Sequence, residues 1–267
     1  SRFSEDIDLI LDWRVLGFNI DEPWEPRSNT KQDIFNKEAN VRAEIFLKEK
    51  FCPTVRKELS LELGCEAKIY IDEKERQTVI FAYPNLFTNT ATLHVIRLEI
   101  GALAAWTPAK KAVITPYAAQ YYPVVFNQKE TRILTVAPER TFWEKATILH
   151  HEANRPEHLK IPQRYARHYY DIYCMSQTMV KKEAFKQLDL LKKVVAFKMK
   201  FYPRGWAKYS EAVPGSLKLL PPAFRLADLA LDYDSMKDML YGEIPSFETV
   251  MVTIGELEKE INSLKCD

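Results

Sequence analysis

The chain has 267 residues, of which 46% are apolar and 28% charged, a composition that fits one large globular domain or two modest ones. Its formal charge of +1 excludes an overall basic field that would by itself announce a nucleic-acid partner. Cys52, Cys65, Cys174 and Cys266 are scattered with no CxxC pair, which excludes a zinc ribbon or disulfide framework and fits a reducing cytoplasm. No apolar run reaches the length of a membrane span, and no signal-peptide pattern opens the sequence.

Taken in chain order, Asp6–Trp13 alternates and then turns apolar, as a half-buried strand entering a core does, with Ile7 directed inward. A loop with Pro and Trp follows from Gly17 to Asn29. From about Thr30 to Leu63 the spacing predicts helix, with Ile34, Ala39, Val41, Ile45, Phe46 and Leu47 on its apolar face. Pro53 is expected to start a second helix rather than to sit inside the first. Ala67–Ile71 and Thr78–Tyr83 read as a hairpin around the charged turn Asp72–Arg76. Leu93–Ala102 reads as a strand with Arg97 and Glu99 on one face, and Lys111–Thr115 and Arg132–Val136 add two more. After Pro138 the pattern is helical throughout, over 138–152 and about 162–178, 181–201, 221–241 and 246–264. The expected junction therefore lies near residue 137, between an α/β half and a helical half.

Residues two apart on a strand project from the same face, about 7 Å from each other along the chain, so Asp6 and Asp8 point together. Paired carboxylates repel unless a proton or cation intervenes, and an oxygen-seeking divalent ion relieves the repulsion while bridging nucleotide phosphates. Glu99, between Leu98 and Ile100 on another strand, is a candidate third ligand. The plain alternative is an Asp-x-Asp pair with no metal chemistry.

Farther along, Lys145 lies on a helix whose apolar positions are Phe142, Ala146 and Leu149. It can act as a point charge on a phosphate or simply be a solvated lysine paired with Glu144. In Arg164–Tyr173 the residues Arg164, Arg167, His168 and Asp171 recur at helical spacing. They form either an ion-pair network or a surface for phosphate and base. His150, His151 and His158 lack metal-ligand spacing and read as structural or surface residues. The lysines over 181–200 alternate with Leu188, Leu191, Val194, Val195 and Phe197. They form the solvated face of an amphipathic helix or a track for an RNA backbone.

The run Arg2-Phe3-Ser4-Glu5-Asp6-Ile7-Asp8-Leu9 resembles the signature of the AbiEii-type nucleotidyltransferases, toxins of type IV toxin–antitoxin systems. The resemblance continues through Arg97–Gly101, Glu139–Lys145, Arg164–Tyr173, Asp232-Tyr233-x-x-Met236, Pro245-Ser246-Phe247 and Glu260–Asn262, so it spans nearly the whole chain. It implies a nucleotidyltransferase-type α+β fold, a mixed sheet with flanking helices followed by a C-terminal helical bundle. The expected domains are 1–137 and 138–267, the second contributing to the active-site cleft. By the same resemblance Asp6 and Asp8 match the catalytic metal pair and Lys145 the helix lysine that contacts the triphosphate. Asp171 matches the acidic residue of the last active-site motif and Glu99 a third acidic position. Ser4, Lys145, Arg164, Arg167 and His168 are expected at the nucleotide. The family carries a Gly-Gly-Thr/Ser turn upstream of Asp6, a motif this sequence begins after, so an upstream segment is expected.

The implied activity is Mg²⁺-dependent transfer of NMP from an NTP to an acceptor, an RNA 3′ end such as that of tRNA, with Mn²⁺ as a substitute and a cognate antitoxin as partner. Two other readings stay open at this stage. One is an inactive nucleotide- or RNA-binding module, since the Gly-rich turn is absent; the other is an interaction protein whose carboxylates bind no metal.

Overall fold

The computed structural model describes residues 6–84, 94–103 and 107–265. The chain divides into two compact units, Arg2–Trp106 and Thr107–Asp267 apart from Ser1.

In the first unit, β1 (Asp6–Ile10) leads through short 3-10 turns to α1 (Asn29–Phe46). A π-helical segment, Leu47–Phe51, then runs into α2 (Cys52–Leu63). Ser28 caps α1 by accepting the Lys31 N–H, and Gly64, at φ 65°, closes α2 in the left-handed conformation that glycine adopts without strain. The helix does not stop before Pro53. Phe51 and Cys52 keep helical dihedrals, and the Cys52 N–H reaches the Leu47 carbonyl five residues back. The wider turn accommodates a residue without an N–H, so Pro53 falls in the first turn of α2 while the rod continues.

Next come β2 (Lys68–Ile71), β3 (Thr78–Ala82) and β4 (Val95–Gly101). Among the described residues the sheet order is β1-β4-β3-β2, with β1 parallel to β4 and the other pairs antiparallel. One face of this mixed sheet packs on the α1–α2 rod through Leu47, Cys52, Ile69, Val79 and Ile100. Burial of each large aliphatic side chain there contributes roughly 1.5–3 kcal/mol.

The expected apolar face of α1 is partly wrong. Phe35, Ala39, Ala43 and Leu47, four apart, form the buried stripe, whereas Ile34, Val41 and Ile45 face outward. The buried stripe is fixed by the ring of Phe18, 4.9 Å from that of Phe35, and by Arg42, which lies over Phe18 and donates to the Leu16 carbonyl. Tertiary packing, not the apolarity of single residues, selects the face. Ile7 also departs from expectation: it lies on the core side of an edge strand and is 49% exposed.

In the second unit, β5 (Ala109–Ile114) pairs antiparallel with β6 (Thr131–Val136), with the short α3 (Tyr117–Tyr121) between them. The helices α4 (Pro138–Ala153), α5 (Ala166–Ser176), α6 (Met179–Phe185), α7 (Leu188–Phe201), α8 (Leu226–Ser235) and α9 (Phe247–Asn262) follow. They bury a core that includes Trp143, Tyr169, Leu191, Tyr233 and Ile254. The unit starts at Thr107, not near residue 137, because the hairpin is tied to α4. The Ala137 N–H donates to the Pro108 carbonyl at 2.9 Å, and Arg140 donates to the Thr107 carbonyl at 2.8 Å. The helix expected over 181–201 is two helices, interrupted at Lys186 and Gln187. Leu191, Val194, Val195 and Phe197 are buried as the amphipathic pattern requires. No helix among the described residues is long and apolar enough to cross a membrane.

Candidate active site

In the first unit Asp6 is opposite Arg97 and Asp8 opposite Glu99 across the parallel β1–β4 ladder. Partners across a ladder share a face, as do residues two apart, so these four side chains rise from the face opposite the Val79–Ile100 core. Burial pushes the Glu99 carboxyl above its usual range, the negative charges of Asp6 and Asp8 push it further, and Arg97 opposes them. Arg97 is only a partial counter-charge. Its Nε is 3.7 Å from Glu99 Oε1, while its other nitrogens engage Asp72 at 3.4 Å and Glu75 at close range.

This surface is an all-oxygen donor set whose mutual repulsion a hard divalent cation would relieve, so the chemistry of the residues fits Mg²⁺. Among the described residues no group of three or more His, Cys, Asp or Glu side chains is placed to hold a metal ion.

The second unit presents a separate polar cluster. Lys145 Nζ on α4 donates to Asp171 Oδ2 on α5 at 2.7 Å and lies 3.2 Å from His168 Nδ1. Both members of the Lys145–Asp171 pair are mostly buried, at 18% and 17% side-chain exposure. Glu144 pairs not with Lys145 but with the buried Arg140, whose Nε is 2.9 Å from Glu144 Oε1. Lys198, on α7, donates to the Glu144 carbonyl at 3.4 Å. Burial pushes its ammonium down to about 8; Glu144 opposes that shift, and Lys145 and Arg140 add to it. Among the described residues Arg140, Lys145 and Lys198 thus gather around Glu144 and Asp171.

A family model described as the nucleotidyl transferase AbiEii toxin of type IV TA systems matches residues 1–253. The chain belongs to the AbiEii family. No curated protein and no solved structure gave a match.

Membership makes this chain a nucleotidyl transferase of the toxin class. Of the AbiEii-type site residues expected from sequence, Asp6, Asp8 and Glu99 share one surface, and Lys145, His168 and Asp171 meet in another. Ser4 lies outside the described residues. Arg164 does not share the helix face of Arg167, His168 and Asp171, because α5 begins only at Ala166. Arg164 sits in the preceding turn at φ 63°, exposed, with a guanidinium nitrogen 3.4 Å from Met239 Sδ.

His150 and His151 are tied into the helical packing. The buried His150 accepts the Lys218 N–H at Nδ1, which leaves Nε2 to donate to the Lys208 carbonyl at 3.0 Å. His151 Nδ1 is 2.6 Å from the Tyr209 hydroxyl, and its ring packs edge-on to Trp206 at 4.3 Å. Burial, helped by Lys198, Arg155 and Arg204, holds His151 down to about 4.

Sequence reasoning placed Lys198 in the lysine run and Asp232 in a motif but missed what each does. Lys198 had a signal: it continues the buried spacing Leu191, Val194 and Val195, where a lysine needs a reason. Asp232 was noted only within the motif Asp232-Tyr233-x-x-Met236, with no role attached. Its two carboxylate oxygens accept the N–H groups of Arg164 at 2.6 Å and Ala166 at 2.7 Å, fixing the start of α5 from 66 or more residues away.

Proposed function

We propose that the chain transfers the NMP moiety of an NTP to a hydroxyl at an RNA 3′ end, such as that of tRNA, and that a cognate antitoxin restrains it. Supporting this reading most directly is the ladder register that sets Asp6 and Asp8 opposite Arg97 and Glu99 within an AbiEii-family chain. Asp6, Asp8 and Glu99 are the residues that would hold Mg²⁺, or Mn²⁺ in its place. When bound, the ion supplies charge neutralisation and alignment at the α-phosphate.

In the proposed reaction the acceptor oxygen attacks the α-phosphorus in line. The bond from that phosphorus to the α,β-bridging oxygen breaks, pyrophosphate departs with the electron pair, and the hydroxyl proton passes to water. Lys145 offsets charge on the departing pyrophosphate, and Asp171 and His168 hold the ammonium in place. Arg140 and Lys198 keep the surroundings of Lys145 positive, and Arg167 lies one turn before Asp171 on α5.

Pyrophosphate release, followed with each NTP in turn and with total RNA, tests the chemistry. Asp8→Ala is expected to abolish release, and Lys145→Ala to lower it about 10²–10³-fold. Release unaffected by either substitution would refute the assignment of these residues.

A further inference from the structure

The interruption at Lys186 and Gln187 opens a cavity of about 730 Å³ where α6 gives way to α7. Lys186, Lys192, Lys193 and Lys265 line it together with Asp189, the one carboxylate among the described lining residues. Phe185, Leu188 and Pro108 contribute apolar surface. The N-terminus of the 14-residue α7 faces this space without a side-chain cap from Gln187, so its dipole adds to the lysine charge.

Lys186 and Lys192 are paired with Glu183 at 2.8 Å and Asp189 at 2.9 Å. Both are exposed pairs three residues apart, of the kind readily exchanged for a stronger anion. Cationic lining around an apolar floor is the chemistry that holds a nucleotide chain, phosphates on the lysines and a base against Phe185. An acidic peptide is the poorer match, because none of the described lining residues belongs to a strand with which a peptide could pair.

The cavity also adjoins the helix that carries Lys145. The Thr107 carbonyl in its lining is held by Arg140, and Phe185 stacks on Trp143 with centroids 6.2 Å apart. Arg140 precedes Lys145 by five residues, about 7.5 Å of helix rise.

We propose that this cavity seats the backbone of a single-stranded RNA segment and anchors the acceptor near Lys145. Its role as acceptor anchor rests on the transferase reading; its affinity for RNA does not.

The test is fluorescence anisotropy of a labelled oligouridylate with the full chain over a series of KCl concentrations. The variants are Lys192→Glu with Lys193→Glu, and the milder Lys192→Gln with Lys193→Gln should charge reversal impair folding. The proposal expects about tenfold weaker binding by the charge-reversed chain. It also expects a log–log salt slope shallower by about 0.7 for each phosphate that no longer meets a lysine. Asp8→Ala is expected to bind the RNA as the parent does. Equal affinity and slope in parent and variants would overturn the site, as would a parent chain that binds polyglutamate but not RNA.

Failure of the site and failure of the transferase reading are distinguishable. A parent chain that transfers no nucleotide, yet loses RNA affinity on charge reversal, sinks the transferase reading and keeps the site. A charge-reversed variant that turns over with an unchanged KM for RNA sinks the site and keeps the transferase.

Discussion

Glu99 and Lys198 are each displaced from their ordinary titration range chiefly by burial, one upward and one downward. For Glu99 the stability tied to its protonated form is present below the usual carboxylate range and is lost as pH rises through the raised value. At neutral pH and without divalent ions, Glu99→Gln should therefore raise the melting temperature by ~1 °C, a small effect because the side chain is partly solvated. It should also shrink the further rise that Mg²⁺ gives to the parent; a larger Mg²⁺ response in the variant would contradict the account.

Lys198 works in the opposite sense. The stability tied to its neutral amine is present above the ordinary lysine range and is lost as pH falls toward about 8. Lys198→Met is expected to stabilise the chain at neutral pH by ~1 kcal/mol, with the gain fading in strongly alkaline solution. Denaturant titrations at the two pH values measure it. Lys145→Met should do the reverse, destabilising by about 1–2 kcal/mol because Asp171 loses its 2.7 Å partner inside a mostly buried pair. At this scale the sequence singled out Asp6, Asp8, Lys145 and Asp171, and the structure sets the first two on one strand face and joins the last two in an ion pair. It offered Glu144 as the carboxylate Lys145 meets, whereas the partner is Asp171, because that choice belongs to the packing of α4 against α5.

Among the elements, strand positions and the helical character after Pro138 were legible from periodicity and from Pro, Ser and Gly at helix ends. What escaped was decided by contacts remote in sequence. The outward turn of Ile34, Val41 and Ile45 follows from the seat of Phe35 on Phe18. The late start of α5 follows from Asp232, which binds the backbone of Arg164 and Ala166. Asp232→Ala is accordingly expected to destabilise the chain by about 1–2 kcal/mol and to speed amide exchange in the first turn of α5. It should lower transfer activity through His168 and Asp171, which that turn positions. Exchange in α5 unchanged from the parent would remove Asp232 from this role. Pro53 lies in the first turn of a second helix, as its sequence position indicates, and what stayed hidden is the π turn that joins that helix to α1 without a break.

Across the molecule, the α+β class and the succession of a mixed sheet by helices follow from the order of patterns along the chain. The position of the division does not, because two backbone-directed bonds, to the Thr107 and Pro108 carbonyls, attach the β5–β6 hairpin to α4. The first unit carries the carboxylates Asp6, Asp8 and Glu99 on one sheet face, and the second gathers Arg140, Lys145 and Lys198 on its helices. The central claim is that the chain performs nucleotidyl transfer dependent on Asp6 and Asp8. Its most direct test is incubation of the chain with each α-labelled NTP, Mg²⁺ and total RNA, beside Asp8→Ala. The account predicts label covalently joined to RNA by the parent chain and none by the variant, with EDTA abolishing the product. Label transferred equally by both, or by neither with any NTP, would contradict it.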